Sequence, residues 1–209
     1  MFIKKDLRKI PRILEDAALE GDTEIRKDND GSEPSSKRSK RDVLTELKLA
    51  RRSSEFNGSL KILCQPKNAP SLSNLVSLSV YDCQIKSLEG IGFLGSTVGN
   101  EGKICCPNLK TLNLGRNPIQ TLPKELSAFR RSLKELWCDD CNISGPLPSC
   151  VFQLDQLELL QMANNKITEI PSSIERLQRL KSLCMDRNEI VEVPREIGRM
   201  GSLEAIMLR

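Results

Sequence analysis

The sequence contains no histidine, and its aromatic residues amount to 3%, with a single tryptophan and a single tyrosine. Without histidine the chain lacks the commonest general base and the commonest metal ligand, which argues against an enzyme and against a bound metal or cofactor. With so few aromatics, leucine and isoleucine must supply most of the core of a chain that is 38% hydrophobic. No apolar run approaches the roughly 18 to 20 residues needed to cross a bilayer. The N-terminus, Met1-Phe2-Ile3-Lys4-Lys5-Asp6, lacks the apolar stretch of a secretory signal. Together these absences predict a protein without a membrane span, placed in the cytoplasm, with eight cysteines kept as reduced thiols.

The net charge of +4 is unevenly spread: residues 1–52 hold 14 Lys+Arg against 11 Asp+Glu, and residues 53–209 hold 18 against 17. A nucleic-acid reader needs a basic face to offset phosphate repulsion, and a near-neutral body offers none, so no nucleic-acid partner is expected. Residues 1–41 are too polar to bury enough surface to offset ordering entropy, and a mostly disordered, charged head is expected there. Within it, Ile10, Ile13, Leu14, Ala17 and Ala18 have helical spacing. Lys37-Arg38-Ser39-Lys40-Arg41 reads either as a solvated basic run or as a nuclear import signal, the latter implying a nuclear regulator.

At 209 residues the chain accommodates one ordinary domain or an elongated array with a tail. From Leu75 onward one pattern recurs, with apolar residues at positions 1, 4, 6 and 11 and Asn or Cys at position 9. The copies are Leu75-Leu78-Val80-Cys83-Ile85, Leu109-Leu112-Leu114-Asn117-Ile119, Leu133-Leu136-Cys138-Cys141-Ile143, Leu157-Leu160-Met162-Asn165-Ile167 and Leu180-Leu183-Met185-Asn188-Ile190. Leu203, Ile206 and Leu208 open a sixth. Start-to-start intervals of 34, 24, 24, 23 and 23 residues place an insertion between Gly95 and Cys105 in the first copy.

These segments resemble the leucine-rich repeat superfamily, whose Leu-x-x-Leu-x-Leu-x-x-(Asn or Cys)-x-Leu run they match position for position. The resemblance implies an α/β solenoid, a right-handed superhelix with a short parallel sheet on its concave side, over residues 71–209 in five complete repeats and a truncated sixth. Leu122-Pro123, Ile170-Pro171 and Val193-Pro194 are similar to the intracellular Ras-group subclass, whereas Asn142-Ile143-Ser144-Gly145-Pro146-Leu147-Pro148 resembles the plant-type repeat. The Ras-group likeness implies a signalling scaffold or adaptor whose partners include small GTPases, kinases or phosphatases.

Ahead of the array, Asp42 is suited to cap a helix through Val43, Leu44 and Leu47 to about Phe56, and Leu60, Ile62 and Cys64 alternate like an edge strand. Residues 42–70 are therefore expected to cover the array's open N-terminal end. The sequence stops after Leu208-Arg209 with no polar capping segment, so the expectation is further repeats or a contact at that edge.

In each copy the strand should point positions 4 and 6 inward and positions 3, 5 and 7 outward. Asn at position 9 can donate and accept where the chain leaves the sheet; a thiol does this more weakly. Trp137 at position 5 and Tyr81 at position 7 are not needed to build the array, and these residue types are enriched at binding hot spots. The candidate protein-binding residues are Tyr81, Asn113, Glu135, Trp137, Asp139, Asp140, Leu159, Gln161, Asp186 and Arg187. Asp139 and Asp140 stand beside Trp137 and are suited to a partner's Lys or Arg. The alternating charges of Asp82, Arg116 and Asp140 at position 8 are expected to stabilise the sheet itself.

Two further motifs belong to the array. Gly90-x-Gly92-x-x-Gly95 matches the dinucleotide fingerprint as text but lacks its acidic residue, since position 115 is Gly. Cys138-x-x-Cys141 resembles half a zinc site, yet the repeat frame gives both residues structural positions, and the Cys105-Cys106 doublet is poorly spaced to complete it. An enzyme with an unrecognised site remains the rival class.

Overall fold

The computed structural model describes residues 44–51, 56–65, 68, 72–95, 97–98 and 103–209. The charged head 1–41, with its apolar spacing and its basic run, lies outside these residues. In chain order the strands are β1 (Glu46–Lys48), β2 (Ser77–Ser79), β3 (Thr97–Val98), β4 (Lys103–Ile104), β5 (Thr111–Asn113), β6 (Glu135–Trp137), β7 (Ser144–Pro146), β8 (Leu159–Gln161), β9 (Lys166–Glu169), β10 (Ser182–Cys184) and β11 (Ala205–Met207). Seven of them form one parallel sheet in the order β1-β2-β5-β6-β8-β10-β11. The insertion folds as the antiparallel pair β3–β4, and the plant-type segment supplies β7, which pairs in parallel with β9.

The register is constant. Leu47, Leu78, Leu112, Leu136, Leu160, Leu183 and Ile206 stand opposite one another along the sheet. From Leu47 to Leu183 these middle residues are buried, and with the position-1, position-6 and position-11 side chains they form one continuous aliphatic ribbon. No single coil of this length could bury such a stripe alone, so stacking is what holds the array together.

The return path is made of short 3-10 helices: Lys124–Phe129, Val151–Gln153, Ser172–Arg176 and Arg195–Arg199. Pro123, Pro171 and Pro194 occupy the residue just before three of these, at φ of −74°, −63° and −67°. Proline's fixed φ and missing N–H suit the position before a helix, where the backbone donor would have no partner. In the first full coil the return segment is instead an α-helical turn, α1 (Ile91–Gly95). The glycines of the dinucleotide-like text serve packing: a Cβ built on Gly92 would lie 3.0 Å from Glu125 Cβ, and one on Gly95 would lie 2.9 Å from the Ala128 carbonyl carbon. They allow α1 to sit against the Lys124–Phe129 helix of the next coil.

The segment expected as a capping helix is different. Residues 46–48 form β1, whose neighbours Leu49 and Arg51 donate to Ser79 O at 2.8 Å and Tyr81 O at 3.1 Å. Leu44, Leu47 and Leu49 occupy positions 1, 4 and 6, so the array starts one coil earlier than expected. Leucines three apart fit a helix face as well as a strand, and pairing with the exposed edge of β2 satisfies backbone groups that a helix would leave open. The expected edge strand at 60–64 is likewise a 3-10 helix, Leu60–Ile62, capped by Ser59 accepting Lys61 N–H at 3.2 Å.

Each coil leaves the sheet through the same backbone device. Arg51, Asp82, Arg116, Asp140, Asn164 and Arg187, all at position 8, have φ between 54° and 59°. Just beyond, Asn165 Oδ1 accepts the N–H groups of Cys141 and Ile143 in the preceding coil at 3.1 and 3.0 Å, while its Nδ2 donates to Cys138 O, Met162 O and Ala163 O. Asn117 repeats this arrangement, and Asn188 most of it. Cys83 and Cys141 donate from sulfur to Leu49 O and Leu114 O of the coils before them, but offer no strong acceptor.

Candidate protein-binding surface

Positions 3, 5 and 7 of the sheet stand on the side away from the aliphatic ribbon. In β2, β5, β6 and β8 the middle residue is buried and its two neighbours are half-buried. Trp137 is one of these half-buried outward residues. Along β6 it lies between Glu135 and Asp139, each about 7 Å away by strand geometry, and across the sheet it faces Asn113 and Gln161. The chain's only indole is thus ringed by two carboxylates and two carboxamides, with Leu159 on the diagonal.

The structure brings most of the expected residues onto this face but gives several of them partners. Tyr81 packs at the N-terminal side: a Cβ on Gly115 would lie 3.2 Å from Tyr81 Cδ2, and the Arg116 guanidinium stands 5.5 Å from its ring centroid. Gly115 is there because the ring covers it. Asp139 Oδ1 accepts the Ala163 N–H at 2.6 Å, and Asp186 Oδ1 accepts the Arg209 N–H at 2.9 Å, so each aspartate ties its strand to the next. Glu135 Oε2 accepts from Thr111 Oγ1 at 3.2 Å. Asn113 Oδ1 accepts the Gly115 N–H at 2.9 Å.

Asp140 and Arg187 sit on the position-8 turn column. Asp140 pairs with Arg116 at 3.9 Å, Asp82 with Arg51 at 3.5 Å, and Arg187 approaches Asn164 Oδ1 at 3.5 Å. These contacts accord with the stabilising role expected for the alternating charges. Asp140 is therefore already paired, whereas Asp139 and Glu135 have no ion-pair partner among the described residues. Half-burial and the neighbouring Asp140 charge push the Asp139 carboxyl above its usual range, against the pull of Ala163 N–H and Gln161.

The outward columns also hold exceptions. Cys184, at position 5 of β10, is buried. Lys134, Glu158 and Lys181, at position 2 of successive strands, form a ladder in which the two ammonium groups flank one carboxylate, and these hydrogen bonds hold Glu158 down at about 2. Its signal was in the sequence, as opposite charges at one repeat position.

All eight cysteines are buried and none forms a disulfide. Burial pushes the Cys64 thiol up to about 12, and the contact with Cys141 followed by burial raises Cys138 well above its ordinary value. Cys106 donates to Cys105 across 3.9 Å, which raises the first and lowers the second. Among the described residues no group of His, Cys, Asp and Glu has the geometry of a metal site, and no helix is long and apolar enough to cross a membrane.

The Leucine Rich Repeat family profile matches residues 108–129, 132–154 and 156–177. No curated protein matches the sequence. Among solved structures, a leucine-rich repeat protein of Leptospira interrogans superposes with a TM-score of 0.56 at 27% identity, over 79% of this chain and 43% of that one. The leucine-rich repeat domain of the type III effector XopL gives 0.60 at 22% identity, over 98% and 57%. TLR13, in a complex with ssRNA13, gives 0.56 at 22% identity, over 79% and 25%. The chain thus spans about half the length of the first two structures it matches. The parallel ladder, the asparagine stations and these matches agree: residues 108–177 are leucine-rich repeats, and the same coil and register continue on either side of them in the sheet.

Proposed function

We propose that the chain is a non-enzymatic interaction module that binds a partner protein on its concave sheet and acts in the cytoplasm as a scaffold or adaptor. The observation carrying this reading is Trp137: a large side chain, half-buried in the outward columns on the side away from the aliphatic ribbon. The surrounding Glu135, Asp139, Asn113 and Gln161 provide a polar rim around the aromatic, with Leu159 as an apolar neighbour. Leucine-rich repeat arrays commonly serve as protein-interaction modules, which supports the class of partner. The Ras-group likeness of the Leu-Pro return segments supports a small GTPase, kinase or phosphatase. An RNA ligand such as the one in the TLR13 complex is disfavoured, because the middle of this face carries carboxylates and no cation.

The test is quantitative capture of partners by the full chain and by Trp137→Ala. A buried hot spot costs about 2 kcal/mol or more on truncation, which is about a thirtyfold loss of affinity. Undiminished capture by a variant with unchanged circular dichroism would overturn the reading.

A further inference from the structure

The acid–base balance of the sheet face is unlike that of the rest of the chain. Residues 53–209 carry 18 cations against 17 carboxylates, yet the outward positions of the four central strands carry three carboxylates, Glu135, Asp139 and Asp186, and no cation. Lys48 and Arg209 lie at the two ends of the sheet, and Lys48 is already paired with Glu46 at 3.0 Å. Arg116, on the turn column, is held by Asp140 and by the Tyr81 ring, and Lys134, which precedes Glu135, is held by Glu158. Among the described residues, no cation pairs with Glu135 or Asp139 beside Trp137.

We propose that the partner presents an extended, basic peptide segment to this face, with one Lys or Arg side chain seated on the Trp137 indole between Glu135 and Asp139. This inference rests on the reading of the sheet as a protein-binding surface and names the chemistry of what it takes. An indole is the best aromatic platform for a cation, and a carboxylate about 7 Å to either side along the strand adds attraction without blocking the ring. Asn113 and Gln161, across the sheet on either side, are tied to Gly115 N–H and to Asp139, which keeps these rim side chains in place beside the indole. Asp139 and Glu135 each use one oxygen on Ala163 N–H or Thr111 Oγ1, which fixes the carboxylates in place before a cation arrives. Such pre-set anions lower the entropic cost of binding.

The test titrates the full chain with an acetylated, amidated hexa-arginine peptide and follows the fluorescence of Trp137, the chain's one indole. Saturable binding is expected with hexa-arginine and none with hexa-glutamate. Glu135→Gln and Asp139→Asn keep the hydrogen bonds to Thr111 and Ala163 and are each expected to weaken binding about threefold to fivefold. Glu175→Gln, on the return side, is expected to leave it unchanged. Absence of a saturable change, or equal loss in Glu175→Gln and Asp139→Asn, would overturn the proposal. A tenfold gain on replacing Lys37, Arg38, Lys40 and Arg41 by Gln would also overturn it, because the chain's own basic run would then be the occupant. If Trp137→Ala abolishes partner capture while Glu135→Gln and Asp139→Asn leave both capture and peptide binding intact, the surface stands and this inference alone fails.

Discussion

The side-chain oxygen of Asn117 accepts the backbone N–H of Cys83 at 2.9 Å, one full coil earlier in the stack, and of Ile85 at 3.0 Å. Its Nδ2 donates to Val80 O and Leu114 O, both at 2.8 Å. One buried side chain therefore satisfies backbone groups of two coils at the turn where neither can use the sheet.

Removing that side chain strands several buried polar groups at once. Asn117→Ala and Asn165→Ala are each expected to destabilise the array by about 2 to 3 kcal/mol. Asn165→Cys should cost less than Asn165→Ala, since Cys83 and Cys141 hold the same station in native coils. Urea denaturation of the three variants provides the comparison.

Gly95 faces the Ala128 backbone, with 2.9 Å available to an added Cβ. Backbone cannot step aside as a flexible side chain would. Gly95→Ala is expected to cost about 1 to 3 kcal/mol in urea unfolding, whereas Gly198→Ala, where a Cβ meets nothing within 4 Å, should be tolerated.

Glu158 sits between Lys134 and Lys181, and its carboxyl titrates at about 2 against an ordinary 4.5. Between those values the unfolded chain binds more protons than the folded one. The ladder's contribution is therefore in place above about pH 4.5 and is lost as the pH falls through about 2. Glu158→Gln is expected to flatten the fall in Tm over that window, and added salt should shrink the difference, because all three groups are reached by solvent.

Native thiols should be inert. With all eight buried and Cys64 held up at about 12, a thiol reagent is expected to label the folded chain slowly and to label eight groups once guanidinium is added. Rapid labelling of one site in the folded protein would point to Cys105, the thiol lowered by its neighbour.

The spacing of Leu109, Leu112, Leu114 and Asn117, repeated down the chain, was enough to fix the strands, their register and the inward residues. The first coil was hidden because Arg52 stands where Asn or Cys marks the others, so Leu44, Leu47 and Leu49 fitted a helix equally well. Alternation at Leu60, Ile62 and Cys64 misled for a related reason: a 3-10 turn and a strand both bury every second or third residue of so short a segment. On the sheet face, sequence placed Trp137 outward correctly, because a period of two leaves no choice once Leu136 and Cys138 are inward. It did not distinguish free side chains from engaged ones. Whether Tyr81 rests on Gly115, or Asp140 rather than Asp139 takes an arginine, depends on the neighbouring coil.

The cysteine at position 141 gives the stack an uneven strength. It receives no N–H from the coil before it through its side chain, and Ile119 N–H turns back to Asn117 O at 2.7 Å within its own loop. Pulled from its two ends, such a rod should part between these coils sooner than at Asn165, so that it fractures at a built-in seam beside the tryptophan rather than unravelling from a tip.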